Sequence, residues 1–101
     1  MEQYQYVKRA FSLLLWTHEF SLEQEIDLLN DRKEAHYSSN NSRFIIGYSK
    51  QEDYFYIQIW LYSQWKKLRI DNCNSHSTAF EERVQKVEKE AERLLLDSYQ
   101  E

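Results

Sequence analysis

From Tyr54 to Tyr62 the odd positions are Phe55, Ile57, Ile59 and Leu61, and the even positions are Tyr54, Tyr56, Gln58, Trp60 and Tyr62. Successive side chains of a strand point to opposite faces, so this alternation describes a strand with one aliphatic face and one crowded with rings. The flanking segments extend it to a three-stranded antiparallel meander over residues 43–71. Both faces must agree at once, which constrains the register. A turn near Gln51-Glu52 pairs Phe44 with Ile59, Ile46 with Ile57 and Tyr48 with Phe55, and leaves Gly47 beside Tyr56 and Arg43 beside Trp60. A turn at Ser63-Gln64 between Tyr62 and Trp65 sets Trp60 opposite Lys67, Gln58 opposite Arg69, Ile59 opposite Leu68 and Ile57 opposite Ile70. The expected result is Arg43, Trp60 and Lys67 in one row, an indole between two cations.

Helical periodicity governs the rest. Tyr4, Val7, Phe11, Leu14 and Leu15 recur at helical spacing over residues 3–17, with Tyr6, Leu13 and Trp16 widening the apolar arc, so burial on more than one side is expected. Ser21-Leu22-Glu23-Gln24 has the form of a capping box, and Leu22, Ile26 and Leu29 continue a second helix that frays after Arg32. Tyr37-Ser38-Ser39-Asn40-Asn41-Ser42 reads as a loop. Thr78-Ala79-Phe80-Glu81 is another capping box, opening a last helix whose stripe is Phe80, Val84, Val87, Ala91, Leu94 and Leu95, with Tyr99 near its end. The expected fold is α+β in the order α-α-β-β-β-α, a three-stranded antiparallel meander packed against helices. With no proline and one glycine there is no linker, and residues 1–101 read as a single domain.

The succession of a helix, three strands and a helix resembles that of double-stranded-RNA-binding domains. The resemblance is one of element order. The basic cluster that this family carries at the start of its last helix is replaced by Glu81 and Glu82, and the loop between the first strands lacks the family's glycine-proline-histidine element. RNA binding is therefore not carried across.

Several function classes have no residues to support them. Asp71, Cys73 and His76 form the one cluster resembling a metal site, but a structural zinc needs four ligands, and His18 and His36 lie in distant segments. Cys73 with His76 or His18 as base lacks any nucleophile motif or oxyanion hole, and there is no glycine-rich phosphate loop. Glu19, Glu23 and Glu25 read as carboxylates complementing a helix start. The expectation is a non-enzymatic protein with no metal or cofactor. A single cysteine excludes an internal disulfide and fits a reducing compartment. Met1-Glu2-Gln3 lacks a basic region and Ala10–Trp16 is too short to span a bilayer, so the reading is cytoplasmic, with no membrane association.

What remains is the ring-bearing face. The formal net charge is −4, yet Arg43, Lys66, Lys67 and Arg69 fall on the sheet while the carboxylates concentrate on the helices. Arg43, Tyr54, Tyr56, Trp60, Tyr62, Trp65, Lys67 and Arg69 are the candidate partner-binding residues, because Tyr, Trp and Arg are enriched at protein interfaces. The expected function is a small intracellular protein-binding module, a regulator, adaptor or inhibitor, that uses this face or the acidic helical surface. The expected architecture is a self-associating homodimer built sheet to sheet, because it buries the rings without a further domain. Single-stranded nucleic acid is the alternative ligand, with rings stacking bases and cations holding phosphates, against the sign of the net charge. The plain structural reading is that the chain's own first helices cover the rings.

Overall fold

Residues 2–29, 31–40, 42–52, 54–61, 63–71 and 78–98 are described by the structure, a computed structural model. In chain order the elements are α1 (Glu2–Ala10), α2 (Ser12–Thr17), β1 (Ser21–Leu28), β2 (Arg32–Ser38), β3 (Arg43–Ser49), β4 (Tyr54–Leu61), β5 (Gln64–Asp71) and α3 (Thr78–Ser98). The strands form one antiparallel sheet in the order β1-β2-β3-β4-β5. The class is α+β, but the meander has five strands rather than three. This also ends the parallel with the element order of the double-stranded-RNA-binding domains.

The two added strands replace the expected second helix and much of the expected loop. Leu22, Ile26 and Leu29 do recur at a helical interval, yet residues 24–28 also alternate, with Gln24, Ile26 and Leu28 against Glu25 and Asp27. Pairing decides between the two periods. Residues 32–38 bond to the outer edge of β3, with Ala35 opposite Ile46 and Tyr37 opposite Phe44, and β1 then pairs with β2 through a bulge between Leu22 and Gln24. The hairpin between them places Asp31 at a φ of 57°, the left-handed conformation that three-residue hairpin loops use and that Asp tolerates. Tyr37 and Ser38 therefore belong to a strand, and the loop shrinks to residues 39–42, closed by the Ser39 amide on the Ser42 carbonyl at 3.0 Å.

The β3–β4 register is the expected one throughout, including Arg43 opposite Trp60 and Gly47 opposite Tyr56. The β4–β5 register differs from expectation by two residues. Trp60 lies opposite Trp65, Gln58 opposite Lys67, Ile59 opposite Lys66 and Ile57 opposite Leu68. A shift of two preserves which face each side chain occupies, so matching faces does not distinguish the two registers. The turn does. Leu61 pairs with Gln64, and Ser63 turns the chain at a φ of 63°.

All three helices lie on the aliphatic face. The first is broken where the Ser12 hydroxyl donates to the Arg9 carbonyl at 2.7 Å, so the expected helix over 3–17 becomes α1 and α2. It ends at Glu19, whose φ of 63° lets the Phe20 amide reach back to the Leu15 carbonyl at 2.8 Å. Tyr4 stacks over Phe55, Phe11 packs on Phe44 at 5.8 Å between centroids, and Phe80 of α3 meets Phe55 at 6.0 Å. Tyr6 against Phe80 at 5.9 Å joins α1 to α3. The stripe on α3 buries Phe80, Val84, Val87, Ala91 and Leu95. Two expectations on α2 fail. Leu13 and Trp16 are 69% and 78% exposed, because Leu14 and Leu15 already occupy the sheet and a single short helix has no second neighbour to cover its other side. Tyr99 lies outside the described residues.

Candidate functional site

On the opposite face no described element covers the sheet. Arg43, Tyr54, Tyr56, Trp60, Trp65, Lys67 and Arg69 all project there by strand parity, and Tyr62 lies outside the described residues. The plain alternative, in which the first helices fold over these rings, does not describe the placement of α1 and α2. Tyr4, Phe11, Leu14 and Leu15 pack into the core on the aliphatic side, so α1 and α2 sit there beside α3.

The face divides into two regions. In the first, Tyr56 lies across Gly47 and is 6% exposed. Its hydroxyl donates to Glu34 Oε2 and accepts from Arg32 Nη2 at 3.1 Å. Glu34 Oε1 in turn meets His36 Nε2 at 2.8 Å, and the Arg32 guanidinium stands 5.3 Å from the centre of the Tyr56 ring. Arg32, Glu34 and His36 alternate on β2, and sequence reasoning missed them because that segment was read as the end of a helix and the start of a loop. The period-two pattern Arg32, Glu34, His36, Ser38 against Lys33, Ala35, Tyr37 was the signal that would have found them. Beside this network the Arg69 guanidinium sits 3.9 Å from the centre of the Tyr54 ring, close enough for a cation–π contact.

Burial, reinforced by Glu34 accepting its proton, pushes the Tyr56 phenol up to about 12, with Arg32 opposing. Burial also raises Tyr4, with the Glu25 carboxylate adding to it. A raised phenol has a definite sign in stability. Between its unfolded value of about 10 and its folded value, the unfolded chain has released a proton that the folded chain keeps, so stability falls as pH rises. The contribution is whole below pH 10 and gone above pH 12. Tyr56→Phe is therefore expected to flatten the alkaline limb by up to about 1.4 kcal/mol per pH unit in this window, and to cost about 1–2 kcal/mol at neutral pH through the lost hydroxyl bonds. Urea midpoints of both proteins across this range check it, and parallel limbs would show that the hydroxyl is not held as described.

The second region is the corner where β3, β4 and β5 present Arg43, Trp60 and Trp65 in one row, with Lys67 one row below. The expected row of Arg43, Trp60 and Lys67 is replaced by this one because of the two-residue shift. The two indoles pack edge to face at 5.2 Å and 61°, and Trp65 is 40% exposed. Arg43 and Lys67 are exposed, and neither has an ion-pair or hydrogen-bond partner among the described residues.

Elsewhere, Cys73 and His76 lie outside the described residues. Among those described, no three His, Cys, Asp or Glu side chains gather in a group fit to hold a metal ion, and no helix is long and apolar enough to cross a membrane. Compared with known proteins, the chain matches no family model, no curated protein and no solved structure.

Proposed function

We propose that this is a small non-enzymatic protein-binding module, of the regulator, adaptor or inhibitor kind, and that it acts through the open sheet face. The observation that carries the reading is the placement of every described helix on the aliphatic side, which leaves Trp60 and Trp65 facing outward beside two cations, Arg43 and Lys67, that have no ion-pair partner among the described residues. The size is suitable. Five strands about 4.8 Å apart and about 25 Å long present on the order of 500–600 Å² before side-chain relief, close to one partner's share of a standard interface.

Single-stranded nucleic acid fits this geometry less well. Stacking of successive bases needs rings with free faces. Tyr56 is buried in its own network, and Tyr54 already has Arg69 over its ring. Among the described rings only the Trp corner remains, and there the rings meet edge to face.

The occupant is either a second copy or a different protein, and light scattering at high micromolar concentration separates the two. For either occupant, Trp60→Ala and Trp65→Ala are expected to weaken association by about 2 kcal/mol or more each, the usual cost of truncating a central Trp. Leu13→Ala and Trp16→Ala, on the far side of the molecule, are the comparison pair. Association lost through the α2 pair and kept by the sheet pair would move the interface to α2 and sink the proposal.

A further inference from the structure

The Trp corner of the open face is cationic on an acidic chain. Arg32, Arg43, Lys67 and Arg69 stand on that face with Glu34, which is engaged by Tyr56 and His36, Glu23 at the β1 bulge, which accepts from the Ser38 hydroxyl, and Asp71, which the register places opposite Tyr54 at the far end of β5 from the Trp corner. The formal charge of the whole is −4, so the excess of carboxylates lies elsewhere, on β1 and α3 among other places. Two of the four cations are also committed. Arg32 bonds to Tyr56, and Arg69 lies against Tyr54. Among the described residues Arg43 and Lys67 have no ion-pair or hydrogen-bond partner, and they flank the half-buried Trp60 and the exposed Trp65.

A second copy docked through this corner would bring Arg43 and Lys67 against their own counterparts. Like charges opposed across an interface are a strong bar to association, whereas opposite charges steer it. The aromatic corner still has to be covered by something apolar. We infer that the occupant of the Arg43–Trp60–Trp65–Lys67 corner is an acidic segment of a different protein, with carboxylates meeting Arg43 and Lys67 and an aliphatic or aromatic side chain seated against the indoles. This rests on the protein-binding reading of the sheet face and adds the chemistry of the partner.

The test pans a random dodecapeptide library against the full chain, then measures the selected peptides on the wild type, on Trp65→Ala and on Arg43→Glu/Lys67→Glu. Neither cation has a partner to lose among the described residues, so the charge-reversed variant is expected to keep its fold, and thermal unfolding checks this. Expected are peptides enriched in Asp and Glu around an apolar residue. Their affinity should fall about tenfold or more on charge reversal, fall similarly on Trp65→Ala, and weaken as salt rises. Peptides without acidic enrichment that depend on Trp65 and ignore charge reversal would leave the face a protein-binding surface and overturn its acidic preference. Recovery of no peptide, or of peptides indifferent to both variants, overturns both statements. Oligodeoxythymidine bound more tightly than the peptides, with the same dependence on Arg43 and Lys67, would assign the corner to nucleic acid. A dimer in light scattering that Trp65→Ala dissociates would assign it to a second copy.

Discussion

Gly47→Ala is expected to destabilise the protein by about 2–3 kcal/mol, although it adds only a single methyl group. The methyl would stand 2.1 Å from Cζ of Tyr56 and 2.6 Å from its hydroxyl oxygen. Gly47 has no positive φ, so the backbone gives no reason for glycine there, and space for the ring is the reason. Because no described element covers this face, Tyr56 can swing outward and the fold survives. In doing so it gives up Glu34 and Arg32. A double-mutant cycle isolates the effect. In a Tyr56→Ala background the same Gly47→Ala change is expected to become neutral or to stabilise by about 0.5–1 kcal/mol, since alanine orders a strand more cheaply than glycine. Equal costs in the two backgrounds would mean that the ring does not set the requirement. The prediction reaches the binding face as well, because a displaced Tyr56 would disturb the surface between the network and the Trp corner.

This pairing of Gly47 with Tyr56 was legible in the sequence, and the reason is instructive. Phe44, Ile46 and Tyr48 have only one set of partners that satisfies both faces of β4 at once, so the register followed from composition alone. Between β4 and β5 the same logic left a twofold ambiguity, since Trp65 and Lys67 sit on the same face and either satisfies the pattern opposite Trp60. The choice rested on Ser63 accepting a left-handed turn, which an Asn-Gly sequence would have announced and serine does not. The first two strands were illegible for another reason. Residues 21–29 carry a helix-like cap and a helix-like interval on a segment too polar for either period to dominate. Their structure comes from a neighbour: Phe44-Ile45-Ile46 is apolar on both faces, reads as an interior strand, and requires a partner on its free edge.

The consequence for the site is that half of its polar chemistry was invisible. Arg32, Glu34 and His36 matter because β2 lies beside β3, and nothing local to residues 32–36 says so. The network they form also changes which rings are available to a partner. Tyr56 shares strand parity with Trp60, but it is held down by Glu34 and Arg32, whereas Trp65 stands out. An interface built here would take its apolar anchor from the corner and its rim from Arg43 and Lys67, with the Tyr56 network serving as a rigid floor.

Beneath that floor, Phe55→Ala is expected to cost about 3–5 kcal/mol, the range for emptying an aromatic position in a core with little freedom to collapse. Phe55 is fully buried on β4 and touches three other elements. Its ring lies 6.5 Å from Tyr4 of α1, 4.6 Å from Tyr48 of β3 and 6.0 Å from Phe80 of α3. No single neighbour can move in to fill the space without releasing another, because Tyr4 and Phe80 belong to different helices and Tyr48 is fixed in the sheet. Against a total stability of roughly 5–15 kcal/mol for a domain of this size, the loss is a large fraction, and the thermal midpoint should fall by about 15–30 °C. Phe55→Leu, which keeps most of the volume, should cost appreciably less. Leu13→Ala on exposed α2 should lie within about 0.5 kcal/mol of the wild type. Urea unfolding with an unchanged slope and a shifted midpoint checks all three. A small effect at Phe55 together with a large one at Leu13 would mean that the helices pack on the sheet differently, and that the aromatic face is not the open one.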